Sequence, residues 1–343
     1  MSISFNFLIR GFATFVTLCA LVSHATAQVH FAVVDSIVVG GSGGWDYIAF
    51  EGGRLYASHN DEVVVIDAPT KQVKAHIPAH GSHGIAIAST LGKGFISNGK
   101  SNTVTAFDLK TDSVITEIKT GEDPDAIAFD SATNRVFAMN GHGESITAID
   151  AKTLEPIETL GLKGSPEFAV ADGEGHLFLN IEDKNETIEV DSKKLKILHR
   201  WKLEGGDGPT GLSYDKEHHL LFSGCHNKKL FVVNTESGDI VATLPIGEGV
   251  DATVYDPNAL LAFASNRDGT LDVMREESPT EIVHVESART APGAKTMAID
   301  IATQTIYLPT AQFLPAPAPT ADKPHPRPQP VPGTFKILIV RAG

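Results

Sequence analysis

The feature that most constrains the fold of this chain is an internal repeat of about 41 residues. An apolar run that finishes in a polar or charged residue recurs six times, and the runs end at Asp67, Asp108, Asp150, Asp191, Asn234 and Arg275. Successive ends lie 41, 42, 41, 43 and 41 positions apart. A period of this length is typical of the blades of a β-propeller.

Each repeat contains four short runs with strand composition, rich in Val, Ile, Phe and Tyr and bounded by Gly, Asn or Asp. In the third repeat these runs are 126–129, 135–139, 146–149 and 156–160. A sheet of four strands cannot bury both of its faces alone, so neighbouring sheets must stack around an axis. We therefore predict an all-β fold, a seven-bladed β-propeller of four-stranded antiparallel blades.

The seventh repeat predicts how the ring closes. It has strand-like runs at 296–299, 305–308 and 336–340, and then the chain stops. The segment 31–39 is a spare strand that leads directly into Gly40 and Gly41. We expect the N- and C-terminal strands to close the last blade together, which would remove exposed sheet edges.

Residues 1–27 have the character of a secretory signal peptide. Arg10 precedes an apolar stretch, and Ala25, Thr26 and Ala27 form a cleavage site of the A-x-A type. We expect residues 28–343 to form a single propeller domain, periplasmic or secreted, with no membrane span once the signal is removed. The stretch is too short to span a bilayer comfortably.

The net charge and the cysteine content limit the kinds of partner that the protein is expected to bind. The whole chain carries a formal charge of −14 and has two cysteines. Removing the signal takes away Arg10 and Cys19, so the mature chain would carry −15 and keep Cys225 alone, with no internal disulfide. This acidity disfavours nucleic acid, because a phosphate backbone needs basic contacts. We expect a small-molecule or protein partner, and a monomer.

The repeat resembles a known family in one motif. The stretch from Ser97 and Asn98 to Thr103, Val104 and Asp108 is similar to the YVTN repeat of YncE-like periplasmic proteins. The resemblance covers nearly all of residues 29–343 and implies the seven-bladed fold. It leaves the function open, because propellers carry out binding, scaffolding and catalysis.

The predicted propeller has a central mouth where the inner strands begin. The first residues of these strands form the candidate ligand-binding ring Asp46, His83, Asp125, Glu167, Thr210, Asp251 and Lys295. A ring with four carboxylates suits a cation or a polyhydroxy ligand, although the same groups could simply cap strands and solvate a channel.

A second ring of candidates follows the second strand of each repeat, at His59, Asn98, Asn140, Ile181, Cys225, Asn266 and Thr310. His59 and the neighbouring His226 are included as candidate ligand-binding residues. With His80, His83 and His142 they place imidazoles on one face, where Zn²⁺ or Cu²⁺ could bind. No tight metal-binding spacing occurs, so the sequence requires no cofactor.

The segment 309–332 interrupts the seventh repeat and contains nine prolines. This composition predicts an extended polyproline-II loop beside the mouth, either a tolerated surface loop or a lid or partner-binding arm. Lys323, His325 and Arg327 are its cationic residues.

Three functions remain open. The first is an exported binding or interaction protein that recognises a ligand or partner at the mouth, favoured by the absence of a contiguous enzyme motif. The alternative is a metal-assisted or acid/base hydrolase of the lactonase kind, with Asp46, His83, Asp125, Glu167 and Asp251 as candidate groups. The third follows from the YncE-like resemblance, which implies DNA binding. Catalytic and metal-binding residues stay unassigned.

Overall fold

The computed structural model describes residues 1, 30–320 and 326–343. The described chain forms seven four-stranded antiparallel sheets in a ring, which confirms the predicted seven-bladed β-propeller. Two single turns of 3-10 helix, Ser89–Leu91 and Glu182–Lys184, are the helical segments of the described residues. No helix in these ranges is long and apolar enough to cross a membrane.

The first three blades follow one another from the axis outward, each strand pairing with the next. Their strands are β2 (Trp45–Glu51), β3 (Arg54–His59), β4 (Glu62–Asp67), β5 (Gln72–Pro78), β6 (Ser82–Ala88), β7 (Lys93–Asn98), β8 (Thr103–Asp108), β9 (Val114–Lys119), β10 (Pro124–Asp130), β11 (Arg135–Asn140), β12 (Ser145–Asp150) and β13 (Pro156–Gly161).

Blades four to six repeat the same order. Their strands are β14 (Pro166–Ala171), β15 (His176–Ile181), β16 (Glu186–Asp191), β17 (Lys196–Lys202), β18 (Pro209–Asp215), β19 (Leu220–Cys225), β20 (Lys229–Asn234), β21 (Ile240–Pro245), β22 (Val250–Asp256), β23 (Leu261–Asn266), β24 (Thr270–Ser278) and β25 (Glu281–Arg289).

The seventh blade joins the two ends of the chain, as predicted. Its order is β26 (Ala298–Asp300), β27 (Thr305–Thr310), β28 (Lys336–Ala342) and β1 (Phe31–Val38). Ile37 of β1 pairs with Ile337 of β28 in antiparallel register. The ring is therefore closed by hydrogen bonds between the termini.

The core lies between the blades. The second and third strands are buried on both faces, which is why they read as nearly continuous apolar runs. Phe137 and Met139 of the third blade, for example, pack in one cluster with Leu177 and Ile188 of the fourth. The outermost strands, such as β13, are largely exposed.

The inner strands approach each other so closely that only small residues fit at some positions. A Cβ added to Gly84 would lie 2.8 Å from the carbonyl oxygen of Asp125 in the next blade. A Cβ added to Gly211 would lie 2.6 Å from the carbonyl carbon of Ala252. This tight packing brings the N-terminal ends of the inner strands to one small opening, which we call the mouth.

Candidate functional site

Hydroxyl groups on the second strands fix the backbone at the mouth. Ser265 donates a hydrogen bond of 2.6 Å to the carbonyl oxygen of Lys295 in the next blade, and Ser97 reaches the carbonyl oxygen of Asp125 in the same way. From the segment just before the inner strand β26, Thr296 likewise donates to the carbonyl oxygen of Asp46 at 2.5 Å. The charged side chains are thus presented from a backbone that neighbouring blades hold in place.

Five predicted mouth residues form one chain of ionic contacts. Lys295 lies between two carboxylates: its Nζ is 3.0 Å from Asp46 Oδ1, and it also contacts Asp251. On the other side of Asp46, its Oδ2 is 2.7 Å from His83 Nδ1, which lies 3.5 Å from Asp125 Oδ1. These residues come from five successive blades, so the structure brings together what the sequence keeps far apart.

Their proximity and burial shift their pKa values in opposite directions. Burial opposes ionisation of Asp46, but Lys295 and His83 overcome it and lower the pKa of Asp46 to about 2. Burial likewise disfavours the imidazolium of His83, yet its hydrogen bond to Asp46 and the charge of Asp125 raise its pKa to about 9. For Asp125, burial and then the charge of Asp46 raise the pKa to about 7.

Glu167 lies near the same carboxyl groups of the mouth. Burial, followed by repulsion from Asp125, raises the pKa of its carboxyl well above the usual range. We therefore expect Glu167 to be neutral at pH 7 and able to donate a hydrogen bond. The mouth contains four carboxyl groups, but they do not carry four negative charges.

Two aromatic rings lie below this polar group, and the sequence did not reveal them as part of the site. The ring of Tyr47 packs on that of Phe168, with centroids 5.4 Å apart, although the residues belong to the first and fourth blades. Burial and the surrounding carboxylates raise the pKa of Tyr47, so its phenol is neutral. The two aromatic rings therefore meet near the axis of the propeller, next to the charged residues of the mouth.

Thr210 differs from the other members of the ring. Its side chain is buried, and its hydroxyl donates a hydrogen bond of 2.7 Å to the carbonyl oxygen of Val250. It links the fifth and sixth blades and does not face the mouth.

The second predicted ring lies inside the packing between blades. All seven of its members are buried: His59, Asn98, Asn140, Ile181, Cys225, Asn266 and Thr310. The ring of His59 stacks on Phe335 with centroids 4.5 Å apart. The Asn98 and Asn140 amides donate to hydroxyls of their own blades, so they brace strands rather than adopt left-handed turns. Burial raises the pKa of the Cys225 thiol to about 12.

The remaining candidate histidines are separate surface groups. His226 is partly exposed and lies 3.8 Å from Glu182, while His80 and His142 each lie next to an aspartate of a neighbouring loop, Asp61 and Asp123. Among the described residues at the mouth, the group whose donor atoms could hold one cation is Asp46, His83 and Asp125, within 4.8 Å of one another.

A cavity of about 530 Å³ opens beside this charged group, and we call it the mouth cavity. Trp45, Phe313 and several prolines supply its apolar walls, and Arg267, Lys295 and Arg327 supply positive charge. Neither guanidinium forms an ion pair with a described residue. The indole Nε1 of Trp45 is buried and lacks a hydrogen-bond partner among the described residues.

The proline-rich segment forms one wall of the mouth cavity. Its two ends pair, with the amide of Leu314 donating 2.9 Å to Gln329 O and the amide of Val331 donating 2.8 Å to Gln312 O. Phe313 packs on Trp45 with ring centroids 5.8 Å apart. The described ends of the segment are therefore packed against each other and against the mouth, while Lys323 and His325 lie outside the described residues.

Sequence reasoning missed Arg267, Trp45 and Phe313 as lining residues. One signal was available, because an insertion between the second and third strands of a blade must emerge at the mouth, and Phe313 is a large apolar residue in such an insertion.

Comparisons with known proteins agree with the fold. The family model described as the cytochrome D1 heme domain matches residues 53–258. The structure of Kuenenia stuttgartiensis hydrazine synthase is similar with a TM-score of 0.68 and 14% identity, covering 79% of this chain and 92% of that chain. The structure of the RRP9 WD40 repeats is similar with a TM-score of 0.74 and 11% identity, covering 92% and 100%. At such identities the two structures show the fold alone. No curated protein matches the chain in sequence.

Proposed function

The chain belongs to the cytochrome D1 heme domain family. From this membership and from the lining of the mouth cavity, we propose that the protein binds a flat, carboxylate-bearing ligand of the tetrapyrrole class. The observation that carries the proposal is the combination of aromatic and proline walls with two guanidinium groups and a buried indole N–H that have no partner among residues 30–320 and 326–343. Ligand sites are typically apolar cavities with a few fixed polar groups, of about 300–1,000 Å³.

The lining fits the body and carboxylates of such a ligand better than an iron at its centre. Trp45 and Phe313 can pack against a flat apolar face, and Arg267 and Arg327 can bind carboxylates through charge-assisted hydrogen bonds. Haem iron is held by His, Cys, Met or Tyr, and none of the described lining residues is of these types. The imidazole of His83 is held by Asp46 instead. We therefore propose recognition without protein ligation of iron.

The proposal includes an exported location. It draws on the predicted signal at 1–27, of which the structure describes only Met1, and on the resemblance to YncE-like periplasmic proteins. The propeller's net negative charge and the carboxyl groups of its mouth oppose a phosphate backbone, so DNA is not part of the proposal.

Titration with protoporphyrin IX, followed by porphyrin absorbance, tests this function, with the dimethyl ester of the same porphyrin as the matched ligand. We expect the free acid to bind more tightly than the ester. Replacing Arg267 or Arg327 with Gln removes one charge-assisted hydrogen bond, worth about 1.5–3 kcal/mol, so each change should weaken binding about 10- to 100-fold.

Arg275→Gln is the matched control. Arg275 pairs with Glu277 and ends the apolar run of the sixth blade, away from the mouth cavity, so this change should leave binding unaltered. Equal affinity for acid and ester, or equal effects of the Arg267 and Arg275 changes, would contradict the proposal.

A second candidate function is hydrolysis of an ester or lactone, and a specific observation favours it. Asp125 Oδ1 is buried without a hydrogen-bond partner among the described residues, next to the His83 imidazole. A carboxyl with a pKa of about 7 beside an imidazole with a pKa of about 9 is a suitable pair for general acid/base catalysis near neutral pH. Replacing Asp125 with Asn tests this candidate.

A further inference from the structure

A second group of potential ligands lies on the face opposite the mouth, at the junction of the fifth and sixth blades. Asp215 ends the inner strand β18, His218 lies in the turn that follows it, and Glu276 lies near the end of β24. The carboxylate side chains are only 2% and 1% exposed, whereas that of His218 is 27% exposed. We call these three residues the lower cluster.

Two carboxylate oxygens of the lower cluster converge on one nitrogen atom. His218 Nδ1 lies 2.8 Å from Asp215 Oδ2 and 2.7 Å from Glu276 Oε1. A ring nitrogen carries at most one hydrogen, so it cannot form a well-aligned hydrogen bond to each of the two oxygens. Glu276 Oε1 accordingly is buried with no hydrogen-bond partner among the described residues. A buried carboxylate oxygen that accepts no hydrogen bond is costly, and a cation at this point would remove the cost.

The other oxygens of the two carboxylates already have partners that orient them. Tyr255 donates a hydrogen bond of 2.6 Å to Glu276 Oε2. The backbone N–H of Glu217 donates a hydrogen bond of 3.0 Å to Asp215 Oδ1. Such outer contacts are typical of metal sites, where they direct the inner ligand atoms.

The junction of the third and fourth blades supplies an internal comparison. There, Asp130 occupies the position of Asp215, and its Oδ2 accepts hydrogen bonds from Thr133 at 2.7 Å and from Ser192 at 2.6 Å. Two neutral hydroxyls thus satisfy that oxygen, while the backbone N–H of Ala132 donates a hydrogen bond of 3.0 Å to Asp130 Oδ1. The equivalent positions at the lower cluster hold His218 and Glu276, which add a second carboxylate and an imidazole.

From this geometry we propose that Asp215, His218 and Glu276 bind a divalent transition metal ion of the Zn²⁺ type. One imidazole nitrogen and two carboxylate oxygens are ligands that Zn²⁺ accepts at about 2.0–2.2 Å. The three donor atoms lie within 4.8 Å of one another. In their ionised forms the two buried carboxylates would balance the charge of one doubly charged ion.

The proposed metal ion would keep an open position. A surface depression of about 560 Å³ adjoins the lower cluster and is lined by Asp215, Tyr255 and Pro257 among other residues. Three protein ligands and one open position are the arrangement of catalytic zinc sites, where water or a substrate takes the fourth place. This site is independent of the ligand proposed for the mouth cavity.

The test is a Zn²⁺ titration of chelator-treated full chain against a chromophoric competitor at pH 7.5. We expect one tightly bound equivalent. The double variant His218→Thr with Glu276→Ser copies the side chains of the third and fourth blades, so it should fold, and we expect its affinity to fall more than 100-fold. Tyr255→Phe keeps all three ligands but frees Glu276 Oε2, and should lower the affinity about 10-fold.

His83→Gln is the matched control, because it alters the mouth group of Asp46, His83 and Asp125 and leaves the lower cluster intact. This variant should still bind one equivalent of Zn²⁺ as tightly as the wild type does. The proposal is overturned if the wild type binds no Zn²⁺ at micromolar concentration, if the double variant binds as the wild type does, or if His83→Gln alone removes the tight equivalent.

Discussion

Asp125 shows how one residue acquires a functional property from its position. Its sequence context, a proline followed by a polar residue at the start of an inner strand, also occurs at Thr210, which does not face the mouth. The structure adds burial, the charge of Asp46 and an unpartnered Oδ1. None of these could be derived from the sequence alone, because they depend on three blades meeting.

If the mouth catalyses hydrolysis, the rate of that reaction should depend on the ionisation of two groups, Asp125 and His83. Asp125 must be deprotonated to act as a base, so the rate rises as pH increases through about 7. His83 must be protonated to stabilise developing negative charge, so the rate falls as pH increases through about 9. We expect a bell-shaped profile of kcat/KM between these values.

In Asp125→Asn the lower limb of this profile should disappear, with a loss of about 100-fold or more in rate. The measurement is kcat/KM against pH on a panel of lactones and aryl esters. A wild type that hydrolyses none of the panel, or a variant as active as the wild type, counts against the hydrolase.

The His59 position shows where residue patterns misled the prediction. It ends the second strand, in a series with Asn98 and Asn140, and that series was expected to face the mouth. The last side chain of this strand instead turns into the packing between blades, where His59 stacks on Phe335, which lies 276 positions later in the sequence. The partner was too distant in sequence for the pattern to indicate it.

At the scale of the element, the terminal strand β1 carries the closure of the ring. Ile37 is 1% exposed and packs with Ile337 and Ile339 of β28. Replacing Ile37 with Ala should lower the free energy of unfolding by about 2–5 kcal/mol, because it leaves a cavity in a packed interface.

Val38→Ala is the control for this prediction, since Val38 is the next residue of the same strand and is 72% exposed. Its effect should stay within about 0.5 kcal/mol. Urea unfolding of the two variants measures the difference. If Ile37→Ala were as stable as Val38→Ala, β1 would not be docked in the seventh blade.

The strands themselves were predictable, for a physical reason. Residues of the second and third strands must be apolar on both faces because blades stack on both sides, and the turns need glycine, asparagine or aspartate. Both requirements leave a periodic signal, so the blade number and the pairing of the termini could be predicted. The ends of the proline-rich segment left no such signal, and Phe313 was not expected to pack on Trp45.

At the scale of the whole molecule, two faces of the propeller have different chemistry. The mouth joins an ionic chain of Asp251, Lys295, Asp46, His83 and Asp125 to a cavity with apolar walls. The opposite face holds the lower cluster at the junction of the fifth and sixth blades. The closed ring makes both possible, because it brings together side chains from blades that are distant in sequence.

The central claim is that the mouth cavity binds a flat ligand against Trp45, and indole fluorescence tests it most directly. The chain has two tryptophans, and Trp201 lies on the outer strand β17, so a Trp201→Phe variant reports on Trp45 alone. We predict saturable quenching of that variant by one equivalent of protoporphyrin IX, and no saturable quenching in Trp45→Phe. Equal quenching of the two variants, or none in either, would contradict the account.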